Sequence, residues 1–462
     1  MVRPDERVVL HYGSQRRLLG GHRARLVDVE PEPEPPPPRR QWVPWPVVGS
    51  IGAAVVLGFL AGYAPATIGP ALLALAVLAA MVLRLELAVL VLVATSVFED
   101  YLAVAQPAAV KAIGLLLVVA WAVRRCRGRL HTGRRSPVLE ATFAFSIALM
   151  LATVVHNNGA AGLEVVLRYA GFLVVLVVLA DVLRAGLAVA TVARVYVAAC
   201  AVAAVCGLLS YGAGLDRRVG GPIGDPNDFA FFLLPAVALG LAARTTATRR
   251  LPWDLATVLI VLAVLGTLSR GALLGLVAMA VLAVGARMVR VRTAFALAVV
   301  VGAAAVVVAV VAPGLVSTSI EQKGVVADQN VSERLELWSA AGRMTLEHPI
   351  LGMGPGAFAL RHEDYTSGLP DDIAHPLDVA HNTWLEVSSE LGVLGLAGFV
   401  AILVAAFGTA WSAWRRRGDP YAAAVSVSLV GACVAASFVT EQYYLPLWLL
   451  CALAVGLGED RP

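Results

Sequence analysis

The chain has 462 residues, of which 59% are hydrophobic and only 15% are charged, and its formal net charge is +4. Soluble domains usually contain about 45–50% apolar residues, so this composition excludes an ordinary soluble protein and indicates a polytopic membrane protein. The five cysteines lie inside apolar runs or in a basic loop, which argues against a disulfide framework.

Residues 1–42 are predicted to form a disordered cytoplasmic tail. They combine the basic pairs Arg16-Arg17 and Arg39-Arg40 with a proline-rich tract from Pro31 to Pro38, a composition that favours an extended, solvated chain over a packed core. No cleavable signal peptide is evident, because the first apolar run follows this polar segment and lacks a small-residue cleavage pattern. The first helix is therefore expected to act as the insertion signal.

Apolar runs recur along the rest of the chain. A hydrocarbon core of about 30 Å requires about 20 helical residues, and the runs predict about 12–14 such helices. The expected fold class is all-α, a transmembrane helical bundle over residues 43–312 and 391–458, with an extracytoplasmic catalytic loop at 313–390 that contains short amphipathic helices. The predicted spans are 43–63, 67–83, 86–102, 108–124, 137–155, 163–181, 188–210, 228–244, 253–268, 271–287, 293–312, 391–413, 420–438 and 443–458.

The distribution of arginine predicts how the helices are oriented. Cytoplasmic loops of membrane proteins carry an excess of Lys and Arg, and alternate loops of this chain do so. The arginine-rich loops are 124–135, 244–250, 287–292 and 415–417. On the opposite, outer side, the pair Arg217-Arg218 and the residues Arg270 and Arg334 break the rule, and such exceptions call for a local anionic partner.

Arg217-Arg218 precede a segment rich in glycine and proline, Gly220 to Asn227. Glycines let backbone N–H groups approach a phosphate, and a helix N-terminus favours negative charge. Asn227 is predicted to cap a helix that begins at Asp228. The same residues also form ordinary turns, so the segment by itself leaves both interpretations open.

Arg270 follows Leu268-Ser269 at the predicted outer boundary between two apolar spans. A charge at this depth is costly unless it is paired or faces a polar cavity. One interpretation is a side chain that snorkels to the interface. Another is a structural ion pair with Glu441 or Glu99.

Arg334 is predicted to lie on the first turn of an amphipathic helix on the outer membrane surface. Asn330 and Glu333 resemble an N-terminal capping pair. Apolar residues follow at helical spacing, namely Leu335, Trp338, Ala341 and Met344. Trp338 is expected at the level of the lipid headgroups, and Arg334 can face either a bound anion or solvent.

His381 stands directly before a predicted helix. Thr383 to Glu386 fit a capping box, so the helix is expected to begin at about Thr383 and to continue into the next span. The positive end of a helix disfavours an imidazolium and keeps a neutral ring available to accept a proton. Gly392 and Gly395 would give this helix a bare strip for close helix packing. Histidines near helix starts are otherwise ordinary cap or surface residues.

Several blocks together resemble the O-antigen ligase and polymerase superfamily of bacterial membrane glycosyltransferases. The resemblance covers about residues 210–400. Its three blocks are Leu268 to Leu274, Glu333 to Gly356, and His381-Asn382 with nine residues before Gly392 to Gly395. The segment Arg218 to Asn227 is similar to a fourth block. In this context the glycine run Gly352 to Gly356 is expected to form a loop rather than to bind phosphate.

The resemblance implies a GT-C-like bundle that transfers a glycan from a polyprenyl (undecaprenyl) diphosphate carrier to an acceptor hydroxyl on the outer face of the cytoplasmic membrane. It implies that Arg218, Arg270 and Arg334, with Arg217 beside them, clamp the diphosphate. His381 would be the general base of an inverting reaction.

No Asp-x-Asp triplet and no compact set of metal ligands occurs in the sequence, so a metal-independent reaction without a cofactor is expected. The expected partners are the lipid-linked glycan donor, a glycan, lipid or protein acceptor, and membrane lipid, and not nucleic acid.

Three alternatives remain open from the sequence. A ligase and a polymerase share the donor chemistry and differ in the acceptor, so the sequence does not separate them. A lipid or polysaccharide transporter would also need many spans, although no internal repeat of broken helices is visible. A third alternative makes the outer interval a docking module for an envelope complex.

Overall fold

The computed structural model describes residues 84–105, 109–126, 128, 135–293, 333–366 and 379–459, with six isolated positions between 296 and 310. Every regular element within these ranges is helical. The expected all-α bundle is confirmed for this part of the chain, since helices satisfy their own backbone hydrogen bonds in lipid. The predicted tail, the spans 43–63 and 67–83, most of the span 293–312, and the expected cap Asn330 lie outside the described residues.

The first half of the described chain forms long helices joined by short connections. A 3-10 turn at Ser96–Phe98 links the first two helices. The helices are α1 (Leu85–Thr95), α2 (Glu99–Ala105), α3 (Ala109–Cys126), α4 (Pro137–Val155), α5 (Gly159–Arg184) and α6 (Val189–Gly212).

The second half contains the helices that carry the candidate site. They are α7 (Pro226–Thr246), α8 (Leu251–Gly266), α9 (Arg270–Gly285), α10 (333–347), α11 (Ala357–Arg361), α12 (Thr383–Arg417), α13 (Pro420–Ala435) and α14 (Leu445–Gly458). Short 3-10 turns precede α7, at Gly221–Ile223, and follow α11, at His362–Tyr365.

Six described segments are long and apolar enough to cross a membrane, and α8, α9, α13 and α14 are shorter apolar helices. The protein is therefore a multi-pass membrane protein. The six segments are Leu85–Val104, Pro137–Val155, Gly159–Arg184, Val189–Gly212, Pro226–Thr246 and Thr383–Arg417.

Helix α7 lies at the centre of the bundle. It packs against α6, α8 and α13, and every residue from Phe229 to Gly240 is buried. A helix that is apolar and buried on all sides faces other helices rather than lipid. The N-terminus of α7 is therefore held firmly. Polar residues of the candidate site lie just before this N-terminus and on the first turn of the helix.

The cap of α7 differs from the sequence prediction. Asp225, not Asn227, is the N-cap residue, and its Oδ1 accepts hydrogen bonds from Asn227 N at 2.6 Å and Asp228 N at 3.1 Å. The reason is Pro226, which occupies the first helical position because its fixed φ suits a helix and it has no N–H to satisfy. The side chain of Asn227 is thereby left to bind another group.

Helix α12 is interrupted at Gly392, whose φ of 63° and ψ of −165° are not helical. The turn at residues 349–354 fills the break. Pro349 O accepts from Val393 N at 2.8 Å, and an added Cβ at Gly392 would lie 2.4 Å from Ile350 C. At Gly392, the expected site of close helix packing is therefore occupied by the turn at residues 349–354, because Gly392 is not in a helical conformation. At Gly395 the nearest atom to an added Cβ is the Cβ of Leu391.

We expect Gly392→Ala to destabilise the protein by about 2–4 kcal/mol, because a Cβ at positive φ is strained and would overlap the backbone of the turn. Gly408→Ala is the matched control on the same helix, since no atom lies within 4 Å of its added Cβ. The melting temperature of each variant in detergent measures the effect. An unchanged melting temperature for Gly392→Ala would contradict the tight contact with the turn.

Candidate active site

Three arginines from separate elements come together near the N-termini of α7 and α9. Arg218 lies in the loop before α7, Arg270 is the first residue of α9, and Arg334 lies on the first turn of α10. The loop is fastened to the junction of α8 and α9, where Val219 N donates to Gly266 O at 3.1 Å. This contact brings Arg218 to the junction from which Arg270 projects.

Arg218 is held by neutral acceptors. Its Nε donates to Thr267 O at 2.7 Å and its Nη2 donates to Asn227 Oδ1 at 3.3 Å. Asn227 thus orients Arg218 instead of capping α7. Because a carbonyl and an amide carry no net charge, the positive charge of Arg218 stays available to an anion.

Arg334 is anchored on the connection between α13 and α14, which we call the α13–α14 loop (residues 436–444). Its Nη1 donates to Phe438 O at 3.2 Å. The Trp338 ring packs on the Phe438 ring with centroids 6.3 Å apart. An added Cβ at Gly271 would lie 2.8 Å from Phe438 Cβ, so the absent side chain of Gly271 lets the start of α9 approach the same loop.

Within the part of the chain that the structure describes, no carboxylate forms an ion pair with any of the three guanidinium groups. Among the described ion pairs, none joins Arg218, Arg270 or Arg334 to an acid within 4.0 Å. Arg270 is exposed, and the other two are half-buried. The expectation that Glu441 or Glu99 pairs with Arg270 is therefore wrong.

Electrostatic effects confirm that the three charges are close. Partial burial lowers the pKa of Arg334; the acids Asp225 and Asp228 oppose this, and the charge of Arg270 adds to it. Partial burial likewise lowers the pKa of Arg218, Asp225 opposes it, and the charge of Arg334 adds to it. Like charges held together without direct counterions form a binding site for an anion. Arg217 is exposed on the same loop as Arg218.

His381 lies directly before α12 in a left-handed backbone conformation, with φ of 48°, and is half-buried. The helix begins at Thr383 as predicted, but its cap is Asn382, whose Oδ1 accepts from Trp384 N at 3.1 Å and Leu385 N at 3.2 Å. The predicted capping box is wrong because the Thr383 hydroxyl is engaged elsewhere, donating to Val439 O at 2.9 Å.

The α13–α14 loop joins the histidine segment to the arginines. Thr383 N donates to Ala436 O at 2.9 Å and to Val439 O at 3.0 Å, while the neighbouring carbonyl of Phe438 accepts from Arg334. The segment that carries His381 and the helix that carries Arg334 are thus fixed to adjacent peptide groups.

Sequence reasoning missed this loop, apart from naming Glu441. Glu441 is fully buried, and its N–H donates to Thr383 Oγ1 at 2.9 Å. Burial raises the pKa of Glu441 well above its usual value, and the nearby charge of Asp228 raises it further. The short polar run Thr440-Glu441-Gln442 between two apolar spans is the signal that could have identified it.

Helix α10 confirms the predicted helical pattern with one correction. Its buried face consists of Leu337, Ala340, Ala341 and Met344, and three of these, Leu337, Ala341 and Met344, pack with Met353 and Phe358. Leu335 was expected on this face but is 57% exposed. The reason is that the buried face of α10 packs against Met353 and Phe358, and Leu335 lies on the opposite side of the helix. Its position at the membrane surface stays a prediction.

The glycine run at residues 352–356 forms a loop, as expected. Gly352, Gly354 and Gly356 all have positive φ. The Asn158 side chain holds the loop by donating to Met353 O at 3.1 Å and Pro355 O at 2.9 Å. The run therefore connects α10 to α11 and contacts the α4–α5 connection.

Residues 255–400 match the family model described as O-antigen ligase. The match begins in α8, ends in α12, and contains Arg270, Arg334 and His381 but not Arg218. No curated protein gives a significant match to the chain.

We expect inorganic diphosphate to raise the melting temperature of the purified protein, and the rise to shrink at high salt because the contacts are electrostatic. Arg334→Gln should weaken diphosphate binding about tenfold, which corresponds to one charge-assisted contact of about 1.4 kcal/mol. Arg194→Gln is the matched control, since Arg194 is bound to Thr246. Equal diphosphate binding by Arg334→Gln and Arg194→Gln would contradict the expectation that the arginine cluster binds diphosphate.

Proposed function

Because residues 255–400 are a domain of the O-antigen ligase and polymerase superfamily, we propose that this protein is a membrane glycosyltransferase for cell-surface polysaccharide assembly. It moves a glycan from a polyprenyl (undecaprenyl) diphosphate carrier to an acceptor hydroxyl on the outer face of the bacterial cytoplasmic membrane. One observation carries the proposal: three arginines that take part in no described ion pair gather near the N-termini of α7 and α9, and one of them, Arg334, binds the loop that also fastens the segment of His381.

The arginine cluster suits a diphosphate leaving group. As the bond between the anomeric carbon and the diphosphate oxygen breaks, the oxygen keeps the electron pair and negative charge grows on the diphosphate. Guanidinium groups fixed in advance stabilise this charge without reorganisation. The half-buried Arg218 and Arg334 act in a medium of lower dielectric than water. The exposed Arg270 can meet the diphosphate as it enters.

His381 is the proposed general base. Its ring accepts the proton of the acceptor hydroxyl while the acceptor oxygen bonds to the anomeric carbon. Attack opposite the departing diphosphate inverts that carbon. Since the arginines supply the positive charge that the leaving group needs, the proposed reaction requires neither a metal ion nor a cofactor. Arg217, which is exposed on the same loop as Arg218, is proposed to assist the three arginines in binding the diphosphate.

The acceptor decides between ligase and polymerase within this proposal. A ligase transfers the glycan once to a lipid, protein or other glycan, and a polymerase extends the same glycan repeatedly. Both use the donor site described above, and the described residues on the donor side are therefore compatible with either outcome.

A transporter is the alternative from another class, and the broken helix α12 is the feature that favours it, because transporters coordinate substrates with the freed backbone groups of broken helices. Here those groups are occupied. Val393 N donates to Pro349 O, and Gly354 N donates to Glu390 O at 2.9 Å. This occupation favours the enzyme.

We expect His381→Ala to lower transfer from a defined carrier-linked oligosaccharide by about 10²–10⁴-fold, the usual contribution of a general base, with little change in donor affinity. Arg270→Gln should instead weaken donor binding. Gel electrophoresis and mass spectrometry of the products measure transfer, and a ladder distinguishes a polymerase from a ligase. Ser426→Ala is the control, because the one hydrogen bond of the Ser426 hydroxyl within the described residues is to Ala422 O. Full activity of His381→Ala would rule out the base.

A further inference from the structure

Glu386 links the two halves of the candidate site, and the mechanism above assigns it no role. Its side chain is buried, with only 3% of its surface exposed. Oε2 accepts hydrogen bonds from Ala380 N at 2.8 Å and from Thr440 Oγ1 at 2.8 Å. Oε1 accepts from Gln442 Nε2 at 2.9 Å. One carboxylate thus joins the residue before His381 to the α13–α14 loop.

The backbone of His381 needs such support. A residue with a side chain is strained at positive φ and keeps this conformation only where its surroundings impose it. After His381, Asn382 and Thr383 are fixed by the helix cap and by the loop carbonyls. Before His381, the Ala380 N–H is fixed by Glu386.

We infer that Glu386 is a positioning residue. It holds His381 in its left-handed conformation and fixes the position of His381 relative to the α13–α14 loop, which binds Arg334. This inference rests on the proposed function, since it concerns the placement of the proposed base. Glu386 acts through Ala380 and the loop. Misplacing a catalytic group by about 1 Å can cost about 10²-fold in rate, so a positioning contact of this kind affects turnover.

The neighbouring glutamine offers a precise way to disturb this contact. Gln442 Oε1 is buried and has no hydrogen-bond partner among the described residues, and Gln442 Nε2 donates to Glu386. In Gln442→Glu a second carboxylate would face Glu386, and the repulsion should separate the loop from the Ala380 segment. In the exchange variant Glu386→Gln/Gln442→Glu, the new amide at 386 can donate to the new carboxylate at 442. Its oxygen can still accept from Ala380 N and Thr440 Oγ1.

The test compares turnover, donor affinity and the environment of His381 in these variants. We expect Gln442→Glu to lower kcat about 10–100-fold, with donor KM changed less than about threefold, as for a misplaced base. The exchange variant should recover to within about threefold of the parent kcat, as a restored pair predicts. Ser389→Ala is the matched control on the same helical segment, since the Ser389 hydroxyl, as far as the structure describes the chain, bonds to the backbone Glu386 O alone and not to the Glu386 carboxylate.

A second measurement needs no turnover. Diethyl pyrocarbonate labelling of His381, quantified by mass spectrometry relative to the exposed His348, should change in Gln442→Glu and return in the exchange variant. The melting temperature of Gln442→Glu should fall, because a second buried carboxylate is costly, and it should return in the exchange variant. Inorganic diphosphate binding by the folded protein should stay near the parent value.

The inference is overturned if folded Gln442→Glu keeps the parent kcat and labelling, or if the exchange variant fails to restore both. It is also overturned if diphosphate binding by the folded Gln442→Glu protein falls as far as kcat does, since that pattern describes general loss of structure. Absence of transfer by the unmodified protein would sink the proposed function instead, and the labelling result would still decide whether Glu386 positions His381.

Discussion

The candidate site depends on the backbone carbonyls of the α13–α14 loop. Phe438 O accepts from Arg334, and Val439 O and Ala436 O accept from Thr383. This loop connects two buried helices, where an unpaired carbonyl is costly. The arginine helix and the histidine segment therefore stabilise the loop while the loop aligns them. The same few hydrogen bonds serve both the fold and the geometry of the site.

The arginine cluster shows how the protein accommodates like charges. Arg218 and Arg334 are bound by neutral oxygen atoms, and the acids Asp225 and Asp228 stand near without forming ion pairs. A direct ion pair would stabilise the empty site but would have to be broken by an entering diphosphate. Neutral acceptors fix the direction of each guanidinium at lower cost to ligand binding. The protein thus forgoes the stability that direct ion pairs at Arg218 and Arg334 would give, and the site favours an anion instead.

The sequence predicts the helices better than it predicts the hydrogen-bond partners of their polar residues. The apolar run 137–155 coincides with α4, because run length and burial in lipid determine such helices. The start of α12 at Thr383 was also predicted. Its cap was not, since the Thr383 hydroxyl bonds to Val439, which follows it by 56 residues. Local patterns specify a helix terminus, whereas tertiary contacts decide which polar group caps it.

The glycines of the matched region illustrate why a motif and its geometry are inseparable. Gly271 follows Arg270, and only a residue without Cβ leaves room for Phe438 at that distance. Arg270 supplies charge, and Gly271 sets how near that charge comes to the loop that binds Arg334. Gly392 similarly admits the turn that follows α10. These glycines are thus needed where two backbones approach, and an arginine transplanted without its glycine would carry the charge but not its position.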